Sequence, residues 1–147
     1  MPECRIAGLP FGADLSRFSP GDRREARQEL GLDPDTPFLF FPADPDRPEK
    51  RVDRAREVAK LAGVRLLTGG GIEPDLMPLW MNASNAVLVT SDYEGFGLAC
   101  LEALACDVPV ISTPVGIGPH ALRGLRQSLC IDFAPGVWAD FASGLPA

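Results

Sequence analysis

The sequence has little of several features that mark common functional classes. A formal net charge of −6 and a pI near 4.7 leave no basic surplus, which argues against nonspecific binding to nucleic acid or to an anionic membrane. The longest uncharged run, Leu76 to Ser91, is 16 residues long and contains Pro78 and two asparagines, so it is too short and too polar to span a bilayer. The N-terminus lacks a basic start followed by an apolar stretch, so we expect no signal peptide.

Cysteine and histidine are also scarce. The four cysteines show no C-x-x-C spacing, which argues against a zinc site. Apolar surroundings such as those of Cys100 indicate buried, reduced thiols, which are typical of a cytoplasmic protein. The single histidine, His120, has no evident orienting neighbour, so no catalytic triad is predicted.

The 147 residues, 46% of them hydrophobic, fit one ordinary globular unit. Residues 1–36 differ from the rest, with a possible lead-in strand at Arg5–Phe11 and a charged helix at Asp22–Leu30. Residues 37–147 alternate between short apolar runs and helical segments. We therefore treat 1–36 as a lead-in and 37–147 as the main domain.

Strands that are apolar throughout and separated by helices predict a parallel sheet covered on both faces. With right-handed crossovers, this is an α/β, Rossmann-like, doubly wound layer. The predicted strands are Phe38–Pro42, Val64–Thr68, Ala86–Thr90, Val108–Ser112 and Ser128–Phe133. The predicted helices are Arg51–Ala62, Pro74–Asn82, Gly97–Cys106 and Val137–Ala142.

The segment after the third strand carries two carboxylates and a glycine turn. Glu94 precedes residues 95–98, whose backbone N–H groups could approach an anion at the start of a helix; the alternative is a capping role for Glu94. The helix is apolar on every side, so we expect it to be buried. Glu102 lies in its middle and needs a partner, either ligand hydroxyls such as those of ribose or an arginine of the core.

A basic cluster follows the first strand. Asp46 and Glu49 have the spacing of a capping box. Arg47, Lys50 and Arg51 are cations in a first helical turn, where the helix dipole disfavours them, and a bound anion would remove that penalty. The alternative is a solvated helix end whose cations pair with neighbouring carboxylates.

The distribution of charge links the two segments. No lysine or arginine occurs between Leu66 and Leu122. An anion held at residues 95–98 would therefore depend on the upstream cations. Both segments follow strands, and ligands of such sheets bind at the carboxyl ends of the strands.

The order of these motifs resembles a known family. Glu94–Cys106 is similar to the E-x7-E block of retaining glycosyltransferases with the GT-B fold, in glycosyltransferase family four. Asp107–Thr113 resembles the apolar strand that follows that block. Pro10–Phe18 resembles the segment by which the family's chain enters its C-terminal domain. Arg47–Lys50 resembles the family's basic segment that binds the donor phosphate. The resemblance implies that the chain is one half of a GT-B pair, the donor-binding half.

The resemblance also implies roles for individual residues. Lys50 would contact the donor diphosphate. The family commonly has an arginine at the position where this chain has Pro45, and Arg47 would take its role. Glu94 would be the catalytic residue at the transferred sugar, and Glu102 would hold the ribose hydroxyls. No metal or other cofactor is implied. Backbone donors to sugar and phosphate would come from Gly95, Phe96, Gly97 and Leu98.

Two departures from the family pattern affect the expected function. Gly116–His120 stand where the family often has a Gly-Gly pair and a Glu. The acceptor-binding domain is not recognisable, so the expected partners are a nucleotide-sugar donor, an unknown acceptor, and either a separate N-terminal-type domain or a second copy of the chain. The alternative is a non-catalytic module that binds a nucleotide sugar or docks on a partner.

Overall fold

The computed structural model of the protein describes residues 12–146. The strand predicted at Arg5–Phe11 lies outside the described residues. The strands are β1 Phe38–Phe41, β2 Arg65–Thr68, β3 Ala86–Val89, β4 Val110–Ser112 and β5 Leu129–Cys130. The α-helices are α1 Arg23–Glu29, α2 Val52–Ala62, α3 Met77–Ala83, α4 Leu98–Ala105, α5 Gly118–Ala121 and α6 Pro135–Ser143; one-turn 3-10 helices cover Pro48–Lys50 and Pro74–Leu76.

The five strands form one sheet in the order β2-β1-β3-β4-β5. All four pairings are parallel, with Phe40 opposite both Leu67 and Val87. The chain runs outward from β1 to β2, then crosses back past β1 to β3 and continues outward in the other direction. Connections of the same hand then place α2 and α4 on opposite faces of the sheet. The predicted α/β, doubly wound, Rossmann-like layer is confirmed.

Each face of the sheet carries its own core. Successive strand residues point to opposite faces, and both faces are covered, which explains why the strands are apolar throughout. One core joins Phe40, Val87 and Val110 to residues of α3 and α4, including Met81 and Cys100. The other joins Leu39, Leu88 and Ile111 to residues of α2 and α6, including Val58 and Trp138.

The helix predicted at Asp22–Leu30 is confirmed as α1. Its N-cap is Asp22, whose carboxylate accepts a hydrogen bond from the Glu25 N–H at 2.9 Å. The helix packs against α3 and buries Ala26 and Arg27. The division of the chain at residue 36 stays a prediction. Of the helices within residues 12–146, none has the length and hydropathy that a bilayer crossing requires.

Two predictions about helices are wrong. The helix at α4 is not buried on every side: Cys100 and Ala103 are buried, but Leu98 is 47% exposed, because the first turn of α4 lies at the rim of a cavity rather than under another layer. The predicted helices also omit the single turn α5, which lies in the Pro- and Gly-rich segment after β4. Pro119 stands in that first turn, where its missing N–H costs nothing.

Candidate functional site

The candidate site lies between the carboxyl ends of β1 and β3. These strands are neighbours, and the helices that follow them leave toward opposite faces of the sheet, which is the topological switch point where such folds bind ligands. A cavity of about 340 Å³ opens there. It is lined by Phe41, Pro42, Ala43, Arg47, Lys50, Leu88, Val89, Thr90, Ser91, Glu94, Phe96, Gly97, Leu98 and Ala99.

The predicted site residues fall into two groups around this cavity. Six of them line it: Arg47, Lys50, Glu94, Phe96, Gly97 and Leu98. Gly95 and Glu102 do not line it. The structure thus brings Arg47 and Lys50 of the basic cluster together with most of the glycine turn, as expected from the absence of positive charge between the two segments.

The loop after β1 is not the capped helix start that the sequence suggests. The capping box of Asp46 and Glu49 is not formed, because the Asp46 N–H donates to the Asp44 carboxylate at 2.9 Å and the 3-10 turn Pro48–Lys50 has no side-chain cap. Arg51 then adopts a left-handed conformation with φ 56° before α2 begins. This break separates Lys50 from the helix and lets it face β3.

The most enclosed charged pair in the cavity joins the two loops. The Lys50 Nζ lies 2.7 Å from Glu94 Oε1, and each side chain is 14% exposed. The Ser91 hydroxyl donates to the same Oε1 at 2.7 Å. Within residues 12–146, Oε2 of Glu94 has no hydrogen-bond partner, so it can still accept from a ligand. Glu94 is therefore not a helix cap.

The glycine turn presents the start of α4 to the cavity. Gly97 has φ 89° and no side chain caps the helix. The Phe96 carbonyl accepts from the Ile117 N–H at 2.7 Å. A Cβ on Gly116 would lie only 2.3 Å from that carbonyl oxygen, so glycine at position 116 permits the close approach that holds the turn in place.

Further ion pairs fasten the loop after β3 to α2. Arg54 contacts Asp92 at 2.9 Å and donates to the Thr90 carbonyl at 3.1 Å. Arg51 lies 3.2 Å from the same carboxylate and also pairs with Asp53. The charges on this side of the site are thus paired with one another, whereas the Lys50–Glu94 pair points into the cavity.

Glu102 has a different environment from Glu94. It is half-buried on α4, and no side chain within residues 12–146 forms a hydrogen bond or ion pair with it. Burial raises the pKa of the Glu102 carboxyl, and the nearby Arg17 guanidinium opposes that shift. Arg17 itself donates to the Pro74 carbonyl at 2.9 Å. Within residues 12–146, the alternative in which an arginine of the core pairs with Glu102 is therefore not observed.

The hydroxyl groups of the site were not predicted from the sequence. Ser91 and Thr90 line the cavity, and the buried Thr113 donates to the Ser91 carbonyl at 2.7 Å. The signal for them was position, since Thr90 ends a predicted strand and Ser91 and Thr113 directly follow one. The glycines after β2 act in packing: a Cβ on Gly69 would lie 2.0 Å from the Pro42 carbonyl oxygen, so Gly69 lets two loops touch.

The thiols of the described cysteines are free. Burial raises the pKa of Cys100 to about 12 and that of Cys106 to about 11, so both stay protonated and behave as core residues near neutral pH. The expectation of reduced, buried thiols agrees with this placement for these two residues.

Comparison with solved structures supports the same architecture. Sucrose-phosphate synthase from Thermosynechococcus elongatus superposes with a TM-score of 0.72 at 22% identity, over 92% of this chain and 45% of that one. The C-terminal domain of a glycosyl transferase group 1 family protein from Francisella tularensis gives a TM-score of 0.70 at 22% identity, over 88% of this chain and 85% of that domain. The chain thus has the fold of one GT-B half.

Curated relatives match at higher identity. The D-inositol 3-phosphate glycosyltransferase of Mycobacterium avium is 35% identical over 96% of this chain and 41% of its own length. That of Segniliparus rotundus is 33% identical over 97% of this chain and 40% of its own length. The chain therefore spans about two-fifths of the length of these relatives.

A family model covers more than half of the chain. Residues 49–142 match the model described as glycosyl transferases group 1. The matched range contains Lys50, Glu94 and Glu102 and all of the glycine turn, and it confirms the family resemblance found in the motifs. The chain belongs to the glycosyl transferases group 1 family.

Proposed function

We propose that the chain is the donor-binding half of a retaining glycosyltransferase and holds a nucleoside diphosphate sugar in the cavity between β1 and β3. The observation that carries the proposal is the Lys50–Glu94–Ser91 cluster, which faces an uncapped helix start at the switch point of the sheet. This arrangement offers one cation, a helix start without a side-chain cap and one free carboxylate oxygen within a single cavity. A diphosphate followed by a sugar needs those groups in close succession.

The diphosphate would lie between Lys50 and the turn of Gly95–Leu98. The ammonium and the helix N-terminus both favour negative charge. Arg47 is 59% exposed and paired with Glu49, so we assign it a weaker, screened contribution. When phosphate arrives, Lys50 can share its three donors between phosphate and Glu94.

Glu94 would contact the transferred sugar. Ser91 and Lys50 both donate to Oε1, which fixes the carboxylate and leaves Oε2 to accept from a sugar hydroxyl. Glu102 lies outside the cavity lining and is half-buried, without a bonded side-chain partner in the described part of the chain; it would accept from the ribose hydroxyls where the nucleoside extends beyond the cavity. Two hydroxyl donors would offset the cost of its burial.

Transfer also requires an acceptor held against the donor. Positioning two reactants can be worth about 7–11 kcal/mol of the barrier, and this sheet supplies one wall of a cleft. We therefore propose that sugar transfer depends on an N-terminal-type domain or on a second copy of the chain. The proposal also includes a reaction that needs no metal, which rests on the family resemblance. It further includes a cytoplasmic location, which rests on the thiol pattern.

Calorimetric titration tests the proposal directly. The purified chain is titrated with UDP, GDP and ADP and with their glucose forms, with and without EDTA. We expect one nucleotide series to bind, and we expect EDTA to have no effect. The control is Arg24→Ala, which removes an exposed cation paired with Asp35 away from the cavity. This variant should bind as tightly as wild type. Failure of all six ligands to bind would overturn the proposal.

A transfer assay separates the enzyme from the non-catalytic module. The chain alone is incubated with radiolabelled nucleotide sugar and an acceptor panel. We expect binding with at most slow donor hydrolysis. Steady multiple turnover by the chain alone would contradict the requirement for a second domain or copy.

A further inference from the structure

Thr90 occupies a junction between the two loops of the candidate site. Its side chain is fully buried at the carboxyl end of β3. Its hydroxyl lies 2.8 Å from the Lys50 carbonyl oxygen and 2.9 Å from that of Arg51. Because a hydroxyl has one hydrogen, the two carbonyls share it in a three-centre bond.

The break before α2 explains why a side-chain donor is needed there. In a continuous helix, the Lys50 carbonyl would accept from the Arg54 N–H. That N–H instead donates to the Arg51 carbonyl at 3.1 Å, because the left-handed Arg51 interrupts the helix. The break leaves the Lys50 carbonyl without a helical donor, and an unpaired carbonyl away from water is costly. The Thr90 hydroxyl replaces the missing donor.

Other contacts join the same loops but do not bond to the main chain of Lys50. The Asp92 N–H donates to the Glu49 carbonyl at 2.9 Å, and Arg54 donates to the carbonyl of Thr90 itself. Ser91 acts on the other partner of the ion pair, Glu94. The Lys50 N–H donates locally to the Arg47 carbonyl at 3.1 Å; among the described contacts, the Thr90 hydroxyl is the group that ties the Lys50 main chain to β3.

We propose that Thr90 is a positioning residue for donor binding. Its hydroxyl holds the Lys50 main chain so that Nζ reaches the cavity beside Glu94, and it acts on the ligand only through Lys50. The inference rests on the proposed function, since it assumes that Lys50 binds the donor diphosphate. It adds a residue whose side chain is buried and whose effect is indirect.

The test compares three substitutions at this position, with whichever of UDP, GDP and ADP the wild-type chain binds most tightly. Thr90→Val keeps the shape and loses the hydroxyl, and we expect affinity to fall about tenfold, the scale of one lost hydrogen bond. Thr90→Ser keeps the hydroxyl and should stay within about twofold of wild type. Thr90→Cys has a weaker donor and should fall between them, which keeps the comparison available if the valine variant does not fold.

The matched control lies at the opposite edge of the sheet. The buried Ser84 hydroxyl donates to the Met81 carbonyl at 2.7 Å, so Ser84→Ala removes the same kind of bond far from the cavity. We expect it to lower stability without changing nucleotide affinity. An equal loss of affinity in Ser84→Ala would show that affinity follows general stability and would overturn the positioning role.

A double-mutant cycle distinguishes positioning from a merely structural role. If Thr90 acts through Lys50, Thr90→Val should weaken binding little further once Lys50→Ala is present. A full further loss in that background, or wild-type affinity in Thr90→Val alone, would overturn the inference and leave the proposed function standing. If the wild-type chain binds none of the three nucleotides, the proposed function fails and the inference fails with it.

Discussion

Polar side chains cluster at both edges of the sheet, and the two clusters are built differently. At the amino edge, Arg27 is 3% exposed and donates to the carbonyls of Ala83 and Pro34 and to the side-chain oxygen of Asn85. The Asn85 side chain also accepts from the Phe38 N–H and donates to the Pro146 carbonyl. Both the oxygen and the nitrogen of the Asn85 side chain therefore form hydrogen bonds within the protein.

At the carboxyl edge, the corresponding groups are left partly unused. The Lys50–Glu94 pair borders a cavity, one oxygen of Glu94 has no partner within the described residues, and the start of α4 is uncapped. A closed cluster stabilises the fold, and an open one retains donors and acceptors for a ligand. Burial and satisfaction of polar groups, rather than their number, therefore separate the structural edge from the candidate binding edge.

The largest effect that tests this comparison should come from the amino edge. Arg27→Met keeps the length of the side chain but removes three hydrogen bonds, two of them buried and one partly buried, so we expect the free energy of unfolding to fall by about 3 kcal/mol. Nucleotide affinity of the folded protein should be unchanged. Urea unfolding and calorimetry measure the two quantities.

Arg24→Met is the control on the same helix. Arg24 is exposed and paired with exposed Asp35, so its replacement should cost at most about 0.5 kcal/mol. Equal destabilisation by both variants would contradict the view that the closed hydrogen-bond cluster, rather than charge on α1, supports this edge.

The next largest effect should come from the carboxyl edge and should appear as a loss of nucleotide affinity. Lys50→Ala removes the enclosed ammonium, so the free energy of nucleoside diphosphate binding should weaken by about 1–3 kcal/mol. Calorimetry on both proteins measures it. Lys60→Ala, which replaces the protein's other lysine at an exposed position on α2, is the matched control and should bind like wild type. Unchanged affinity in Lys50→Ala would remove this lysine from the site.

The contrast between the edges explains how much could be predicted from sequence. Apolar strands, helical spacing, the basic cluster and the Glu94–Cys106 block predicted the layer and six of the 14 residues that line the cavity, because burial and local periodicity are properties of short segments. The left-handed Arg51, the Thr90 hydroxyl and the Gly116 approach to Phe96 could not be predicted in this way. Each depends on two segments that are distant in sequence and meet only after the sheet has formed.

The smallest effect should come from Glu102, which lies between the two kinds of environment. Burial raises the pKa of its carboxyl, so the ionised form destabilises the folded state once pH exceeds the unfolded value. Glu102→Gln should therefore increase the free energy of unfolding by roughly 0.5 kcal/mol near neutral pH. The gain should disappear as pH falls through the folded pKa and below the unfolded one, where the carboxyl is protonated in both states. Urea unfolding from pH 3.5 to 8 measures the trend, with exposed Glu57→Gln as the control for loss of one charge.

The same variant tests whether the destabilising carboxylate has a binding role that explains its position. If Glu102 accepts from both ribose hydroxyls, wild type should bind the ribonucleotide more tightly than its 2′,3′-dideoxy form, because the dideoxy form leaves a half-buried carboxylate unpaired. Glu102→Gln should lose much of that preference while gaining stability, so the two measurements should move in opposite directions. If wild type and variant bind both nucleotides equally, while the pH-dependent gain in stability remains, Glu102 belongs with the residues that shape α4 and not with the open cluster at the carboxyl edge.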